Sequence, residues 1–242
     1  MGFTFDDFKK RATNTSYSKW EKIGFPNSYR ENSEVLIFND IYDKLELNSM
    51  GLKLLDIGCG CAGLVDQLIG YTNKNQGSLY LVDSIEMLNN INIELLNHNI
   101  KLIPGCFPKI DFFNSGVAGS FDRILIYSVI HCVFLEHSIF NFIHACINLL
   151  KPGGRILIGD IPNISARDRF LESEDGKIFI ANGVSYIDPI NTKYEKHERI
   201  DDSIVISIIS RFRNFGCETY LLSQPKSFPL GNRREDILII KR

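Results

Sequence analysis

Between Leu54 and Gly63 the chain reads Leu-Leu-Asp-Ile-Gly-Cys-Gly-Cys-Ala-Gly. Glycines at these positions let a backbone turn tightly and approach a ligand, and a helix opening from them offers unpaired N–H donors. A lone G-x-G-x-x-G is a weak signal. Here it follows a predicted strand, Lys53–Ile57, and opens a predicted helix, Leu64–Tyr71. Asp83, ending the next predicted strand, stands near the offset at which an acid meets a ribose. Asp56, Gly58, Cys59, Gly60, Gly63, Asp83 and Ser84 are therefore candidate contacts to a nucleotide-type cofactor. The structural alternative is a simple packing turn.

Two cofactor classes use such a loop, and Asp56 separates them. A carboxylate two residues before the first glycine would repel a pyrophosphate but can accept hydrogen bonds around a cationic amino-acid group. S-adenosylmethionine carries an ammonium and a sulfonium and no phosphate, so it is the expected cofactor. A nicotinamide-dependent reductase is the rival; it would share the loop and Asp83 and leave Asp56 unexplained.

The elements that must hold this loop are short apolar runs alternating with helical patterns, the sign of a parallel sheet wrapped by helices. Strands are expected at Lys53–Ile57, Ser78–Val82, Lys101–Ile103, Asp122–Tyr127 and Arg155–Gly159. Two later runs, Cys217–Leu222 and Asp236–Lys241, suit an antiparallel hairpin at one edge. Helices are expected at Leu64–Tyr71, Ile85–His98, His137–Leu150 and Ser203–Phe215, with a further apolar helical stretch at Val35–Leu45. The expected architecture is α/β: a Rossmann-like, doubly wound, mostly parallel seven-stranded sheet with an antiparallel edge hairpin. Residues 1–50 read as an N-terminal helical cap and 51–242 as the main domain, with a lid inserted at 163–201, a stretch too long for an ordinary connection.

Residues 53 to about 160 resemble the class I S-adenosylmethionine-dependent methyltransferases. Leu55-Asp56-Ile57-Gly58-Cys59-Gly60 is similar to their first motif, and Val82 to Leu88 to the stretch whose acid binds the ribose hydroxyls. Phe121 to His131 and Leu149 to Arg155 resemble their fourth-strand and fifth-strand signatures. The resemblance implies cofactor contacts from Asp83, Ser84 and Ser128. It also implies an acid after the third strand for the adenine amino group, where this chain has Gly105-Cys106-Phe107. Backbone groups near Cys106 and Phe107, with apolar packing, are the expected substitute.

Methyl transfer is an in-line displacement at a carbon the sulfonium has already activated, so the protein must align the nucleophile and exclude water. An oxygen acceptor can also need a base at the carboxyl ends of the strands. His131, beyond the fourth strand, and Asp160, beyond the fifth, are the candidate catalytic residues. Each has a structural alternative, a pocket-wall histidine and a capping aspartate. Arg167, Arg169, His197 and Arg199 of the lid are either grips for an anionic acceptor or a solvated face. Tyr17, Trp20 and Tyr29 either line the sulfonium or belong to the core of the cap. The activity expected is methylation of a small molecule, with oxygen the preferred atom. By analogy alone the acceptor is a surface-glycan precursor or similar nucleotide-linked metabolite; an N-methyltransferase and a non-catalytic cofactor-binding subunit are the other readings.

Bulk properties bound the rest. At 242 residues, 44% hydrophobic and 23% charged, the chain suits one α/β domain with a modest cap. No apolar run approaches the roughly 20 residues of a membrane span, and the start lacks the features of a secretory signal, so a cytoplasmic protein is expected. A net charge of −2 disfavours nucleic acid as a partner. Six cysteines without a C-x-x-C pair, and no His and carboxylate cluster at ligand spacing, give no metal site and read as buried free thiols.

Overall fold

The computed structural model describes residues 4–110, 112, 116–181 and 199–242. Four helices come first: α1 (Phe5–Thr13), α2 (Lys19–Lys22), α3 (Asn27–Arg30) and α4 (Glu34–Leu45). Then follow β1 (Lys53–Ile57), α5 (Gly63–Lys74), β2 (Ser78–Asp83), α6 (Ile85–Leu88), β3 (Ile100–Pro104), β4 (Phe121–Tyr127), α7 (Ile130–Glu136), α8 (Ile139–Leu149) and β5 (Leu150–Pro162). The chain continues through α9 (Ile164–Glu172), α10 (Glu174–Ala181), α11 (Asp202–Asn214), β6 (Glu218–Ser223) and β7 (Arg234–Ile240).

The seven strands lie in the order β3-β2-β1-β4-β5-β7-β6. The first five are parallel, while β7 runs antiparallel between β5 and β6. This is the expected sheet with its antiparallel edge. Side chains alternate across it with the period of two that strands impose. Leu55, Ile57, Ile124, Ile126, Ile156 and Ile158 share one core with α7, α8 and α11. Leu54, Leu125 and Leu157 share the other with α4 and α5. The helix α4 is therefore one layer of the main core: Ile37, Ile41 and Leu45 are buried against the same cluster as Leu68 and Ile69.

Two expected helices differ. The one expected over Ile85–His98 stops at Leu88, with a single 3₁₀ turn at Ile93–Leu95. Asparagines end it by bonding locally: Asn90 donates to Glu86 O at 2.7 Å, Asn92 accepts from Glu94 N at 3.0 Å, and Asn97 accepts from Asn99 N at 2.8 Å. The other, expected over His137–Leu150, begins at Ile139 under a Ser138 cap, and α7 precedes it as a separate short helix. Fifth-strand residues also extend further than expected, because β5 continues past Gly159 to Pro162. Of the stretch expected to form a lid, α9 and α10 are described; 182–198, His197 included, lie outside the described residues.

Candidate functional site

Strand order reverses between β1 and β4, and open α/β sheets leave a crevice at the carboxyl ends of the strands there. A cavity of about 140 Å³ occupies this place. The ends of four strands line it: Ile57 and Gly58 from β1, Val82 and Asp83 from β2, Gly105 and Cys106 from β3, Tyr127 and Ser128 from β4. The N-terminal helices close it with Phe5, Phe8, Ile23, Phe25, Arg30 and Glu34.

Gly58 and Gly60 both have left-handed backbones, φ 72° and 65°. A Cβ on Gly58 would meet Val129 Cγ2 at 2.5 Å, and one on Gly60 would meet Ile23 Cγ2 at 2.7 Å. Only glycine lets the loop turn while the chain after β4 and the N-terminal segment close on it. Asp83 fixes the loop from beside it: Oδ2 accepts from Gly60 N at 3.0 Å and Oδ1 from Ser84 N at 2.7 Å. Burial raises the Asp83 carboxyl to about 6 despite these two bonds. Ser84 is itself buried as the cap of α6, its Oγ accepting from Met87 N at 3.1 Å.

Asp56 lies elsewhere. It shares the α5 face of the sheet with Leu54 and borders a small void with Leu45, Leu68 and Leu125, not the main cavity. Burial, and then the charge of Asp83, push its carboxyl up to about 8. The acid that does line the cavity at the start of α5 is Glu34, whose Cγ is 3.0 Å from where a Gly63 Cβ would be. Glu34 is 7% exposed. Its Oε1 accepts from the Trp20 indole at 3.1 Å, while Oε2 is buried without a hydrogen-bond partner among the described residues. Burial raises its carboxyl, and Arg30, the Trp20 bond, Lys19 and the Leu64 backbone N–H at the start of α5 offset part of that rise.

At the ends of β4 and β5 the non-glycine residues Ser128 and Asp160 are both left-handed, φ 59° and 57°. Such strain persists only where surrounding contacts impose it. Here Ser128 Oγ donates to Asp160 Oδ2, and Arg30 Nη2 bonds both, at 2.9 Å to Ser128 Oγ and 3.1 Å to Asp160 Oδ2. Asp160 N donates to Asp236 Oδ1 at 2.8 Å, and the fully buried Asp236 is held by Lys44 at 2.7 Å. Arg234 Nη1 donates to Asp160 O at 3.0 Å and lies 3.8 Å from Oδ2. The two guanidiniums and Ser128 keep the buried Asp160 carboxyl below its ordinary value.

His131 stands on the first turn of α7, 7% exposed and outside the cavity lining, with Nδ1 buried and unpaired among the described residues. Burial first, then Arg234, lower it to about 3, against a smaller opposing pull from Asp160. Cys59, Cys106 and Phe107 line the cavity as expected residues of the loop and of the third strand's end. All six cysteines are free thiols, and burial raises those of Cys59 and Cys106 above the ordinary range. Of the aromatic candidates, Trp20 holds Glu34, Tyr17 stacks under Arg11, and Tyr29 borders a second, smaller cavity beside Arg30. Arg169 pairs with Asp202 at 2.5 Å, and Arg167 lies 3.9 Å from Asp168. Sequence reasoning missed Arg30 and Glu34; their only signal was a charged i, i+4 pair entering the α4 helix.

No protein-family model matches the chain, and no curated protein is significantly similar to it. Solved structures are. A SAM-dependent methyltransferase from Aquifex aeolicus has a TM-score of 0.60 and 15% identity, over 93% of this chain and 97% of that one. The plantazolicin methyltransferase BpumL, in complex with a monoazolic desmethylPZN analog and SAH, has a TM-score of 0.60 and 14% identity, over 98% and 97%. The CurJ carbon methyltransferase has a TM-score of 0.59 and 14% identity, over 98% of this chain and 66% of that one. The chain thus has the fold of the class I S-adenosylmethionine-dependent methyltransferases.

Proposed function

We propose that the chain is an S-adenosylmethionine-dependent methyltransferase acting on a small molecule at oxygen. The observation that carries this reading is the meeting, in one cavity, of the left-handed Gly58–Gly60 turn and the Asp83 and Glu34 side chains. These residues fit the cofactor. Asp83 would take the ribose hydroxyls, Glu34 would face the ammonium, and Cys106 and Phe107 would flank the adenine. Two carboxylates lining the cavity suit a cationic group and would repel a pyrophosphate, which disfavours the nicotinamide alternative. The fold shared with known methyltransferases, one of them solved with SAH, supports the same reading.

When bound, the cofactor would supply a methyl group already activated by the sulfonium. The protein's own part is positioning and exclusion of water. Phe5, Phe8, Ile23 and Phe25 close the cavity from the N-terminal side, and Val133 and Phe142 from the side of α7 and α8. Their apolar character favours a compact acceptor with an apolar body over a sugar. Gly58, Gly60 and Ser128 border the cavity where cofactor and acceptor would meet. Titration of the purified chain with S-adenosylhomocysteine tests the reading: Asp83→Ala should weaken binding by about tenfold or more, since each charge-assisted bond is worth about 1.5–3 kcal/mol. An unchanged dissociation constant in a folded variant removes Asp83 from the site.

A further inference from the structure

Besides Glu34 and Asp83, the carboxylate of Glu136 lines the cavity. Glu136 is the last residue of α7 and is exposed at the cavity's rim. Val129, Cys132, Val133 and Glu136 all border the cavity. Their i, i+3, i+4, i+7 spacing is that of one helix face, so Glu136 stands on the stripe that α7 turns inward. After burial, the largest cause, Glu136 contributes to raising the thiols of both Cys106 and Cys132, which puts it beside the end of β3. Its Oε2 accepts from Phe5 N at 3.0 Å. Phe5 opens α1, so this bond satisfies one of the backbone donors that a helix start leaves without an intrahelical partner. A backbone donor thus fixes where the carboxylate sits.

We propose that Glu136 accepts a hydrogen bond from the exocyclic amino group of the cofactor's adenine. The inference deepens the cofactor reading above and rests on it. Strand order gives the direction. The strands lie β3-β2-β1-β4; with the glycine loop at β1 and the ribose on Asp83 at β2, the base extends towards β3, the side of Cys106 and Glu136. The lining there is Cys106, Phe107, Cys132, Val133 and Phe142, whose apolar or weakly polar side chains suit the faces of a purine. Glu136 adds an anion at the rim. A carboxylate only accepts, and its two oxygens offer about four acceptor positions, so the bond from Phe5 leaves room for the amino N–H.

An amino group on the methyl acceptor has the same chemistry, so the source must be distinguished. Position favours the base. The other face of the cavity, where Tyr127, Ser128 and Arg30 stand, is at the end of β4, on the opposite side of β1 from Cys106. That side is open to the acceptor, and Glu136 lies away from it.

The test titrates the full chain with S-adenosylhomocysteine and, separately, with its purine analogue, in which hydrogen replaces the exocyclic amino group. The wild type should bind S-adenosylhomocysteine about tenfold or more tighter than the analogue. Glu136→Ala should bring that ratio near unity, and Glu136→Gln, whose amide oxygen still accepts, should keep about threefold. Asp83→Ala should weaken both ligands and keep the ratio, because the ribose is common to them. A Glu136 that only docks α1 would move both affinities together. Glu136→Ala with the wild-type ratio therefore overturns the proposal and gives the amino group to backbone groups near Cys106 and Phe107. Should Glu136→Ala not fold, a wild-type ratio in Glu136→Gln overturns it equally. Equal affinities in the wild type overturn it too, while leaving the cofactor reading in place. Failure of the wild type to bind S-adenosylhomocysteine refutes the cofactor reading, and the proposal with it.

Discussion

Asp56→Asn separates the two acids near the glycine loop by stability alone, before any acceptor is known. In the folded protein the Asp56 carboxyl keeps its proton until about pH 8, because it is buried among leucines with the Asp83 charge nearby. An unfolded chain releases that proton near the ordinary aspartate value of 3.8. Between these values the folded state holds one proton more, so rising pH favours unfolding. The slope is about 1.4 kcal/mol per pH unit, or roughly 4 kcal/mol over three units inside the window. Asparagine has a similar shape and no proton to lose, so its chain lacks this term. Melting temperatures of both proteins from about pH 4.5 to about pH 7.5 should diverge in favour of the variant, by on the order of 10 °C for a chain of this size. Taking the difference cancels every other titrating group. A constant difference across that range would refute the burial argument, and Asp56 would be ionised and available as the counter-ion in the role proposed for Glu34.

Glu34→Gln should weaken S-adenosylhomocysteine by about tenfold, because it would remove the charge proposed to face the ammonium; calorimetric titration checks this, and an unchanged constant gives the role to another group. His131→Gln should leave turnover within about tenfold, against the 10²–10⁴-fold or so that loss of a general base costs. His131 also has a stability signature: neutral when folded down to about pH 3 and protonated near 6.5 when unfolded, it contributes stability that is lost as pH falls through that interval. Acid titration of His131→Gln should show a shallower loss below about pH 6.5. Lys44→Met should lower the melting temperature markedly, since it leaves the fully buried Asp236 without its cation at 2.7 Å; breaking such a pair costs roughly 3–5 kcal/mol.

The sheet was legible because its strands are apolar runs whose alternating residues feed two cores, as Leu54/Leu55 and Leu125/Ile126 do. The glycine loop was legible because Gly58 and Gly60 answer a backbone need that no other residue meets. The helix expected over Ile85–His98 failed because local asparagine bonds compete with the helix, a contest periodicity does not register. In the site, Asp83 follows from strand offset, whereas Arg30 and Glu34 come from a segment with no motif. They reach the cavity only because α4 packs as a layer of the core. Asp56 was read by its place in a pattern; its side chain points to the α5 face because strand alternation puts it with Leu54. His131 and Asp160 do stand just past their strands, but burial and then Arg234 reset His131, while Arg234 and Arg30, which act on Asp160, lie 74 and 130 residues from it along the chain.

The central claim is the cofactor, and calorimetric titration of the purified chain against S-adenosylhomocysteine and, in parallel, reduced nicotinamide dinucleotide tests it most directly. One molecule of S-adenosylhomocysteine should bind per chain, with affinity that falls about tenfold or more in Asp83→Ala, and the dinucleotide should not bind. Tight binding of the dinucleotide with none of S-adenosylhomocysteine would contradict the account.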